Sequence, residues 1–354
     1  MRNVFLIVLA VTFLTSCKTA GYKDLSPDKT VFKTVSIDTL FQDNISIRAI
    51  SVDGNKIWYG ANNSRFGFYD LVINEKIESK ITKDTLKLEF RSIAQTTKNI
   101  FLLSVANPAL LYKASKTGLK TTLVYQENNP KVFYDSMKFW NKNEGIAMGD
   151  PIDNALSIIT TRDGGNTWSK IPADQLPQIV DGEAAFAASN TNIVIKGNKT
   201  WIVSGGKKAR VFYSGNKGNS WKVYDSPIVQ GKAMAGIFTA DFYDANRGFI
   251  AGGDYEAPNQ NFQNKARTID GGKTWELVAE NQGFGYASCV QYIPHSNGKS
   301  LVSVGASGIY YSYDSGNTWK QLASDPSLFT IRFINNHTAI AAGKNKMIRI
   351  RFQK

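Results

Sequence analysis

The sequence is poor in the residues that build metal sites and disulfides. Among 354 residues there are two cysteines and two histidines, so neither a disulfide scaffold nor a Cys/His zinc site with the usual ligand spacing can be assembled. Cys289 lies in the strand-like run ASCVQY, where we expect a buried, inert thiol. His295 and His337 stand beside turn residues, which does not suit a Ser-His-Asp triad. We therefore expect no metal and no other cofactor.

Long apolar runs are also missing, apart from one short stretch at the N-terminus. In residues 1–17, MRNVFLIVLAVTFLTSC, one Arg precedes an apolar segment that is too short to cross a bilayer and is typical of an export signal. The ending LTSC resembles the bacterial lipobox, which implies lipidation of Cys17 and membrane anchoring. An ordinary cleaved signal with an incidental cysteine is the alternative. We expect a lipid-anchored protein of the bacterial cell envelope, periplasmic or surface-facing, with residues 18–30 as a flexible tether and 31–354 as a single domain.

The charge balance is strongly positive. Lys and Arg number 42 against 29 Asp and Glu, a net charge of +13, which favours anionic neighbours such as lipid headgroups or acidic glycans. The basic residues are scattered and no nucleic-acid-binding motif is present. Nucleic acid is therefore not an expected partner, and a solvated lysine-rich surface is the simpler interpretation. Since no glycine-rich phosphate-binding loop is present either, nucleotide-dependent chemistry is not expected.

What the sequence does contain is an eight-residue repeat. It reads TRDGGNTW at 161–168, SGNKGNSW at 214–221, TIDGGKTW at 268–275 and SYDSGNTW at 312–319. The copies start 53, 54 and 44 residues apart, the length of one four-stranded propeller blade. Between the copies, apolar and polar residues alternate over short runs bounded by Gly, Asn and Asp, as in half-buried strands. The repeat therefore predicts an all-β propeller.

The same register, laid over the whole chain, predicts seven blades. Residues 45–80 and 88–126 form the first two, and blades three to six end in the strand that follows each repeat. The C-terminus supplies only three strands of a seventh blade, so the N-terminal run at 31–40 is expected to add the fourth. Closing the ring in this way removes two open sheet edges. Six or eight blades are the alternatives to this count.

Each repeat is expected to form a structural turn. The Asp accepts hydrogen bonds from backbone N–H groups across the turn, Gly takes left-handed backbone angles, and Trp opens the next strand and packs between blades. The second copy has Asn instead of Asp, so that turn should be weaker. The structural residues are Asp163, Trp168, Asn216, Trp221, Asp270, Trp275, Asp314 and Trp319.

The repeat resembles the Asp box of BNR-repeat propellers, which include sialidases, sortilin-like receptors and photosystem II assembly and stability factors. Four longer stretches are similar to bacterial relatives of those photosystem II factors: FYDSMKFWNKNEGIAMGDP, DGEAAFAASNT, GGKKARVFYS and GIFTADFYDANRGFIAGGDY. In these families the boxes lie at the outer rim, which implies that their Asp residues are not catalytic. The photosynthetic members are scaffolds that bind assembly intermediates. Nothing in the sequence identifies a photosynthetic context, so that partner is not carried over.

Four arginines are candidates for a binding site. The inner strand of each propeller blade lines the axial channel, and three predicted inner strands carry an arginine in the same local frame: Arg48, Arg91 and Arg332. Arg210 opens the third strand of the fourth blade. Converging guanidinium groups bind a carboxylate, sulfate or phosphate in bidentate fashion. Arg332 stands closer to its following turn than Arg48 does, which places it at another depth. The alternative is that carbonyl and carboxylate groups of a structural channel satisfy these arginines.

Four carboxyl groups are predicted near the same channel: Asp135, Asp150, Glu183 and Asp254. Asp150 and Glu183 are suitable as an acid and base pair if they converge. They suit equally well the role of counterions for the arginines, and we favour that interpretation.

Two functions follow from these candidates. The favoured one is a monomeric, lipid-tethered, non-catalytic binding or assembly (scaffold) propeller that recognises a protein or an anionic ligand at the channel mouth. The alternative is a sialidase-like glycoside hydrolase or a lyase that acts on an acidic glycan. Sialidases hold the substrate carboxylate with an arginine triad, but their Tyr–Glu nucleophile pair and acid Asp cannot be assigned here. Arginines already paired with Asp or Glu would argue against the enzyme.

Overall fold

The computed structural model describes residues 31–354. Cys17, the export signal and the tether lie outside the described residues. In the described part of the chain no helix is long and apolar enough to cross a membrane.

Regular structure in the described residues consists of 28 strands and one 3-10 helix, Ala173–Gln175. The strands of the first half are β1 (Thr34–Asp53), β2 (Lys56–Ala61), β3 (Arg65–Asp70), β4 (Glu75–Lys80), β5 (Phe90–Gln95), β6 (Asn99–Ser104), β7 (Ala109–Ser115), β8 (Thr121–Glu127), β9 (Tyr134–Phe139), β10 (Gly145–Ile152), β11 (Ala155–Thr161), β12 (Ser169–Lys170), β13 (Glu183–Ala184) and β14 (Ile193–Lys196). Those of the second half are β15 (Lys199–Val203), β16 (Gly205–Gly206), β17 (Arg210–Ser214), β18 (Lys222–Asp225), β19 (Ala235–Phe242), β20 (Gly248–Asp254), β21 (Lys265–Thr268), β22 (Glu276–Leu277), β23 (Ala287–Tyr292), β24 (Leu301–Gly305), β25 (Gly308–Ser312), β26 (Lys320–Ala323), β27 (Leu328–Asn335) and β28 (Thr338–Gln353).

These strands form six antiparallel sheets, the blades of the propeller. The first sheet has the order β27-β28-β1-β2-β3-β4, the second β5-β6-β7-β8, the third β9-β10-β11-β12, the fourth β14-β15-β17-β18, the fifth β13-β16-β19-β20-β21-β22 and the sixth β23-β24-β25-β26. The prediction of an all-β propeller is confirmed.

The predicted count of seven blades is wrong, because the described chain forms six sheets. The predicted first and seventh blades are one continuous six-stranded sheet. Its first half, Thr34 to Gln42, pairs with β28, and the second half of the same strand β1 pairs with β2. Since neither β1 nor β28 is interrupted, the hydrogen bonds run without a break from β27 to β4. The pairing of the two terminal strands leaves neither of them as an open edge.

The core lies between the faces of neighbouring sheets. Trp58 and Phe66 of the first sheet pack against Phe90 and Leu102 of the second, and all four side chains are buried. The same arrangement recurs between the other sheets because each strand alternates large apolar residues on the two covered faces. The inner strands β1, β5, β9, β14, β19, β23 and β27 contact one another in this order, and β27 contacts β1. They surround the axis, and the first sheet contributes two of them.

The four repeat turns are held by their Asp or Asn side chain. Asp163 Oδ1 accepts hydrogen bonds from the N–H groups of Asn166 and Thr167 at 2.9 and 3.0 Å, and its Oδ2 accepts one from the Thr167 hydroxyl at 2.7 Å. Asn216 accepts from a single backbone N–H, that of Ser220, at 2.9 Å. The Asn turn therefore has fewer charge-assisted bonds, although its predicted weakness remains a prediction about stability.

Candidate functional site

The inner strands share an irregularity that the sequence does not reveal. In six of the seven, the pairing register slips by one residue at the same level of the channel, which leaves one residue of each strand in a β-bulge. We call these residues the bulge ring: Arg48, Arg91, Asp135, Phe238, Ser288 and Phe329. A β-bulge bends the strand and turns an extra side chain toward one face. Five of the six line two cavities at one end of the channel, which we call the first mouth.

The bulges shift which later residues face the axis. In a regular strand, side chains two residues apart share a face, but beyond a bulge the parity changes. The residues three positions after the bulge therefore line the other end of the channel, the second mouth, as the far ring: Ser51, Ala94, Lys138, Asp241, Gln291 and Arg332. The structure thus brings Arg48 and Arg91 together but places Arg332 at the opposite end. In the C-terminal inner strand, Phe329 is the residue that is equivalent to Arg48.

A buried segment closes the channel between the two mouths. Residues 185–192, which we call the axial segment, join β13 to β14, and each is at most 8% exposed. Asn190 Nδ2 donates to the Ile93 carbonyl at 2.7 Å, and its Oδ1 accepts from the Met137 N–H at 2.9 Å. Thr191 donates to the Thr239 hydroxyl at 2.8 Å. The segment therefore ties inner strands from several sides of the ring to one another.

Room for the axial segment comes from small side chains. The residues that follow the bulge ring by one position form a middle ring: Ala49, Ser92, Ser136, Thr239, Cys289 and Thr330. All six are buried, and the hydroxyl groups of Ser136, Thr239 and Thr330 bond to the axial segment. Larger side chains here would occupy the space that the axial segment fills. Cys289 is a buried free thiol in this ring.

The first mouth consists of two cavities of about 290 and 390 Å³ that share Arg48, Tyr255 and Tyr286. Its walls are aromatic. Phe186 of the axial segment stacks on Phe238 with ring centroids 3.8 Å apart, and Tyr286 meets Phe238 edge-on at 4.8 Å. Tyr255 is 50% exposed at the rim. The mouth therefore combines a large apolar surface with a few charged groups.

Arg48 is the charged group at the centre of this mouth. Its guanidinium carbon lies 3.9 Å from the centroid of the Phe329 ring, and its Nη1 donates to the Ala188 carbonyl at 3.3 Å. Its Nε is buried without a hydrogen-bond partner. Among the described residues no carboxylate forms an ion pair with it. Burial and the neighbouring charge of Arg91 lower the pKa of Arg48, so its positive charge is incompletely stabilised by the protein alone.

The other candidate arginines have partners. Arg91 Nε lies 2.8 Å from Glu89 Oε1, in a pair that is partly exposed. Arg210 holds Glu183 with both its Nε and its Nη2, the shortest contact being 2.5 Å, and the Glu183 side chain is fully buried. Asp254 pairs with the exposed Lys232 at 2.7 Å. Glu183 is therefore a counterion of Arg210, and Asp254 is the counterion of a lysine, whereas Asp150 forms no ion pair among the described residues and accepts from the Ala185 N–H.

Two carboxyl groups near Arg91 have raised pKa values. Burial raises the pKa of Asp150 to about 6, against the effect of the Ala185 N–H that it accepts at 2.8 Å. Burial and the charge of Asp150 raise the pKa of Asp135 well above its usual range, against the effect of Arg91. Asp135 has no exposed surface, and neither of its oxygens has a hydrogen-bond partner. Burial therefore favours the neutral acid form of Asp135, whereas Asp150, with a pKa of about 6, is largely ionised at pH 7.

The first mouth does not contain the catalytic set of a sialidase in the described residues. In residues 31–354, Tyr59, Tyr125 and Tyr134 form hydrogen bonds with Glu side chains, and none of these three tyrosines lines the two cavities. Tyr286 does line them, but its hydroxyl partner is Ser288 and burial raises its pKa. No group of three or more His, Cys, Asp or Glu in residues 31–354 is placed to hold a metal ion.

Sequence reasoning missed the axial segment, the bulges and the aromatic wall. The axial segment has the sequence AFAASNTN, a run of mostly small residues that does not alternate as a strand does. This composition was the one feature of the sequence that could have indicated the segment. The bulges leave no signal, because the same dipeptides occur in regular strands. The residues around Arg48 and Arg332 are similar in sequence, but the two arginines are not structurally equivalent. Arg48 is a residue of the bulge ring, whereas Arg332 lies three residues after the bulge in its own strand.

No family model and no curated protein matches the chain. Among solved structures it is similar to YCF48 bound to D1 peptide, with 14% identity, a TM-score of 0.63 and coverage of 92% of this chain and 98% of that one. It is also similar to YCF48 from Cyanidioschyzon merolae, with 12% identity, a TM-score of 0.61 and coverage of 90% and 98%.

A third similar structure is a GH74 xyloglucanase from Xanthomonas campestris, with 10% identity and a TM-score of 0.67. The match covers 90% of this chain and 54% of the xyloglucanase, so the chain spans about half the length of that enzyme. At these identities the similarity establishes the fold. The chain is a β-propeller whose structural neighbours include both an assembly factor and glycoside hydrolases.

Proposed function

We propose that this protein is a non-catalytic binding propeller that holds an acidic segment of a partner protein at the first mouth. In this proposal Arg48 binds a carboxylate of the partner, and the aromatic wall holds the apolar residues beside that carboxylate. The observation that carries the proposal is Arg48 itself, a half-buried cation with an unsatisfied Nε and no carboxylate partner within the described chain.

The cost of desolvating Arg48 supports an anionic ligand. A guanidinium that loses water without gaining a counterion is destabilising, and a carboxylate that binds it in bidentate fashion relieves that cost. Tyr255 and Tyr286 add rigid surface with little conformational entropy to lose, which suits peptide recognition. Arg91 differs because Glu89 already offsets its charge.

The structural neighbours favour a protein ligand over a glycan. One YCF48 structure is bound to a D1 peptide, and the match to that propeller covers 98% of it. The hydrolase neighbours match over about half of the GH74 chain. In addition, Asp135 is fully buried, so it is not placed to reach a glycosidic oxygen, and Asp150 is left without an acid partner at the cavity surface.

We further propose that the protein acts at a membrane of the bacterial envelope, anchored by lipid on Cys17. The sequence of residues 1–17 supports this, and incorporation of labelled palmitate into the wild-type chain but not into Cys17→Ser tests it. The hydrogen bonds at Asp163, Asp270 and Asp314 support assignment of the repeats to the Asp-box family.

A peptide array tests the function of the first mouth. Pairs of peptides that differ only by Glu→Gln or Asp→Asn are screened against the folded domain, and the affinity of the best pair is measured by fluorescence anisotropy. We expect the acidic member to bind more tightly, and Arg48→Gln to weaken binding at least about tenfold. Arg267→Gln, which removes a rim arginine that pairs with Glu276, is the matched control.

Two outcomes would count against the proposal. Equal binding of acidic and amide peptides would remove Arg48 as the recognition element. Release of reducing sugar from an acidic glycan or from xyloglucan, abolished in Asp150→Asn, would replace the binding function with hydrolysis.

A further inference from the structure

We propose that the second mouth is a separate binding site for a small multivalent oxyanion, of the polycarboxylate or phosphate class. The site is a cavity of about 430 Å³ lined by Lys138, Lys196 and Arg332 together with Asp241 and Gln291. An adjoining cavity of about 370 Å³ shares Lys138, Lys196, Asp241 and Gln291. Five inner strands, β9, β14, β19, β23 and β27, each contribute one of these side chains.

The two lysines supply donors that the protein does not use. Within residues 31–354, neither the Lys138 nor the Lys196 amine has an ion-pair or hydrogen-bond partner, although seventeen other lysine and arginine side chains of this part of the chain do form ion pairs. Both are only partly exposed. Amines of this kind normally extend into solvent or find a carboxylate, and here they point to a ligand that carries the negative charge.

Arg332 adds a fixed positive charge to the lining of the same cavity. It is 9% exposed and is held by the Ile331 carbonyl at 2.7 Å, the Thr330 hydroxyl at 3.0 Å and the Ser189 carbonyl at 3.0 Å. None of these partners is charged, so the guanidinium charge is solvated by dipoles and is not neutralised. It therefore contributes electrostatic attraction for an anion above it.

Asp241 is the one carboxyl group among the residues that line this cavity. Its oxygens accept from the Phe242 and Tyr292 N–H groups at 2.9 and 2.7 Å, and it is not within ion-pair distance of either lysine. Burial raises the pKa of Asp241, against the effects of Lys196, of those two N–H groups and of Arg332. One carboxyl thus faces three cationic side chains, which leaves a positive cavity suited to an anion with more than one charge.

Binding at this mouth should depend on pH through Lys138. Burial and the charge of Arg332 lower the pKa of Lys138 to about 7, while Asp241 and Cys289 oppose the shift; Lys196 and Tyr292 also face the cavity. An anion favours the ammonium form, so binding at pH 8 should take up a proton. The affinity should therefore rise as the pH falls from about 8.5 to 6.5.

The test uses titration calorimetry with the folded domain and two probes, inorganic phosphate and citrate. We expect saturable binding of at least one of them, and the preferred probe identifies the chemical source. Lys138→Met and Lys196→Met should each weaken binding at least about tenfold, whereas Lys222→Met, which removes an exposed lysine on the outer strand β18, should not. Titrations in buffers of different ionisation enthalpy should show proton uptake that Lys138→Met abolishes.

Each outcome bears on the second mouth alone. Because the axial segment separates the two mouths, Arg48→Gln should leave anion binding intact, and failure of peptide binding at the first mouth does not affect this inference. Since methionine replaces a desolvated amine, we expect both variants to fold, which circular dichroism checks. No saturable binding of either probe, or binding that is unchanged in both lysine variants, would overturn the proposal.

Discussion

The two mouths of the channel are built from the same inner strands, three residues apart, and yet they differ in chemistry. At the first mouth Arg91 is paired with Glu89 and Arg48 has no counterion, and aromatic rings form the walls around Arg48. At the second mouth the lysines have no partner and the walls are more polar. A β-bulge in nearly every inner strand lets two residues that are three positions apart both face the channel. One strand can therefore contribute to two sites of different chemistry. The aromatic wall of the first mouth and the larger number of unpaired cations at the second distinguish the two mouths.

The largest loss of stability should come from disrupting the axial segment, which separates the two mouths. Asn190→Ala removes the bonds to Ile93 and Met137 and leaves a buried carbonyl and a buried N–H group unsatisfied. We expect a loss of about 3 kcal/mol in the free energy of unfolding, with weaker ligand binding at both mouths. Chemical denaturation measures the loss.

A matched control exists two residues further along the chain. Asn192 is also buried, but neither its oxygen nor its nitrogen has a hydrogen-bond partner. Asn192→Ala should therefore cost much less than Asn190→Ala. Equal losses for the two variants would mean that volume, and not the cross-channel bonds, makes the axial segment stable.

The next effect concerns charge pairing beside the first mouth. Glu183→Gln leaves Arg210 without its carboxylate in a place where the Glu side chain is fully buried, and we expect a loss of about 3 kcal/mol. Asp254→Asn breaks a pair whose lysine is 63% exposed, so a loss of about 1 kcal/mol or less is expected. Thermal unfolding of the two variants compares these values, and a reversed order would contradict the role given to burial.

The two mouths should also respond to pH in different ranges. The folded-state pKa of Asp150, about 6, lies above its unfolded value, so the folded state binds more protons and stability falls as the pH rises from about 4 to 6. Asp150→Asn should remove this fall and gain about 2 kcal/mol at pH 7 relative to wild type. Denaturation curves between pH 4 and 7 test this.

For Lys138 at the second mouth, stability changes with pH in the opposite direction. Its folded-state pKa of about 7 lies below its unfolded value, so the unfolded state binds more protons and stability rises with pH from about 7 to 10. Lys138→Met should remove that rise and leave the acidic range unchanged. If both variants altered the same pH range, the assignment of the two groups to separate mouths would be wrong.

The smallest effect should occur at the rim, away from both mouths. Asn216→Asp restores the carboxylate of the other repeat turns and should stabilise the fold by about 0.5 kcal/mol. The gain should disappear below pH 2–3, because hydrogen bonds from Thr167 and Thr161 hold the pKa of the equivalent Asp163 at about 2 in spite of burial. Ligand binding at either mouth should not change, and any change would connect the rim to the channel.

Much of the fold could be predicted from the sequence because it depends on local patterns. The repeat spacing gave the blade length, strand alternation gave the fold class, and the pairing of the two terminal strands was expected from the missing fourth strand. The blade count was wrong because β1 continues without interruption from its pairing with β28 into its pairing with β2, which joins the predicted first and seventh blades in one sheet. Such long-range register has no local sequence signal.

Only part of the candidate site could be predicted from the sequence. The position of Arg48, Arg91 and Asp150 near one end of the channel agrees with the predicted inner strands and, for Asp150, with the predicted end of the neighbouring strand. A different depth for Arg332 was expected from its distance to the following turn. Its place at the opposite mouth and the choice of partner for each charge did not follow, because a one-residue bulge changes which face a side chain takes. Lys138 and Lys196 were not candidates, since surface lysines are numerous and only their burial sets these two apart.

The sequence by itself determined an all-β propeller with structural turns at Asp163, Asn216, Asp270 and Asp314, because strand alternation and turn chemistry act within a few residues. Only the tertiary structure decided that Arg48 lacks a counterion, that Arg210 has one, and that a segment of small residues divides the channel into two mouths. Those properties depend on the distances between side chains from different blades, and such distances are fixed only when the sheets pack around a common axis.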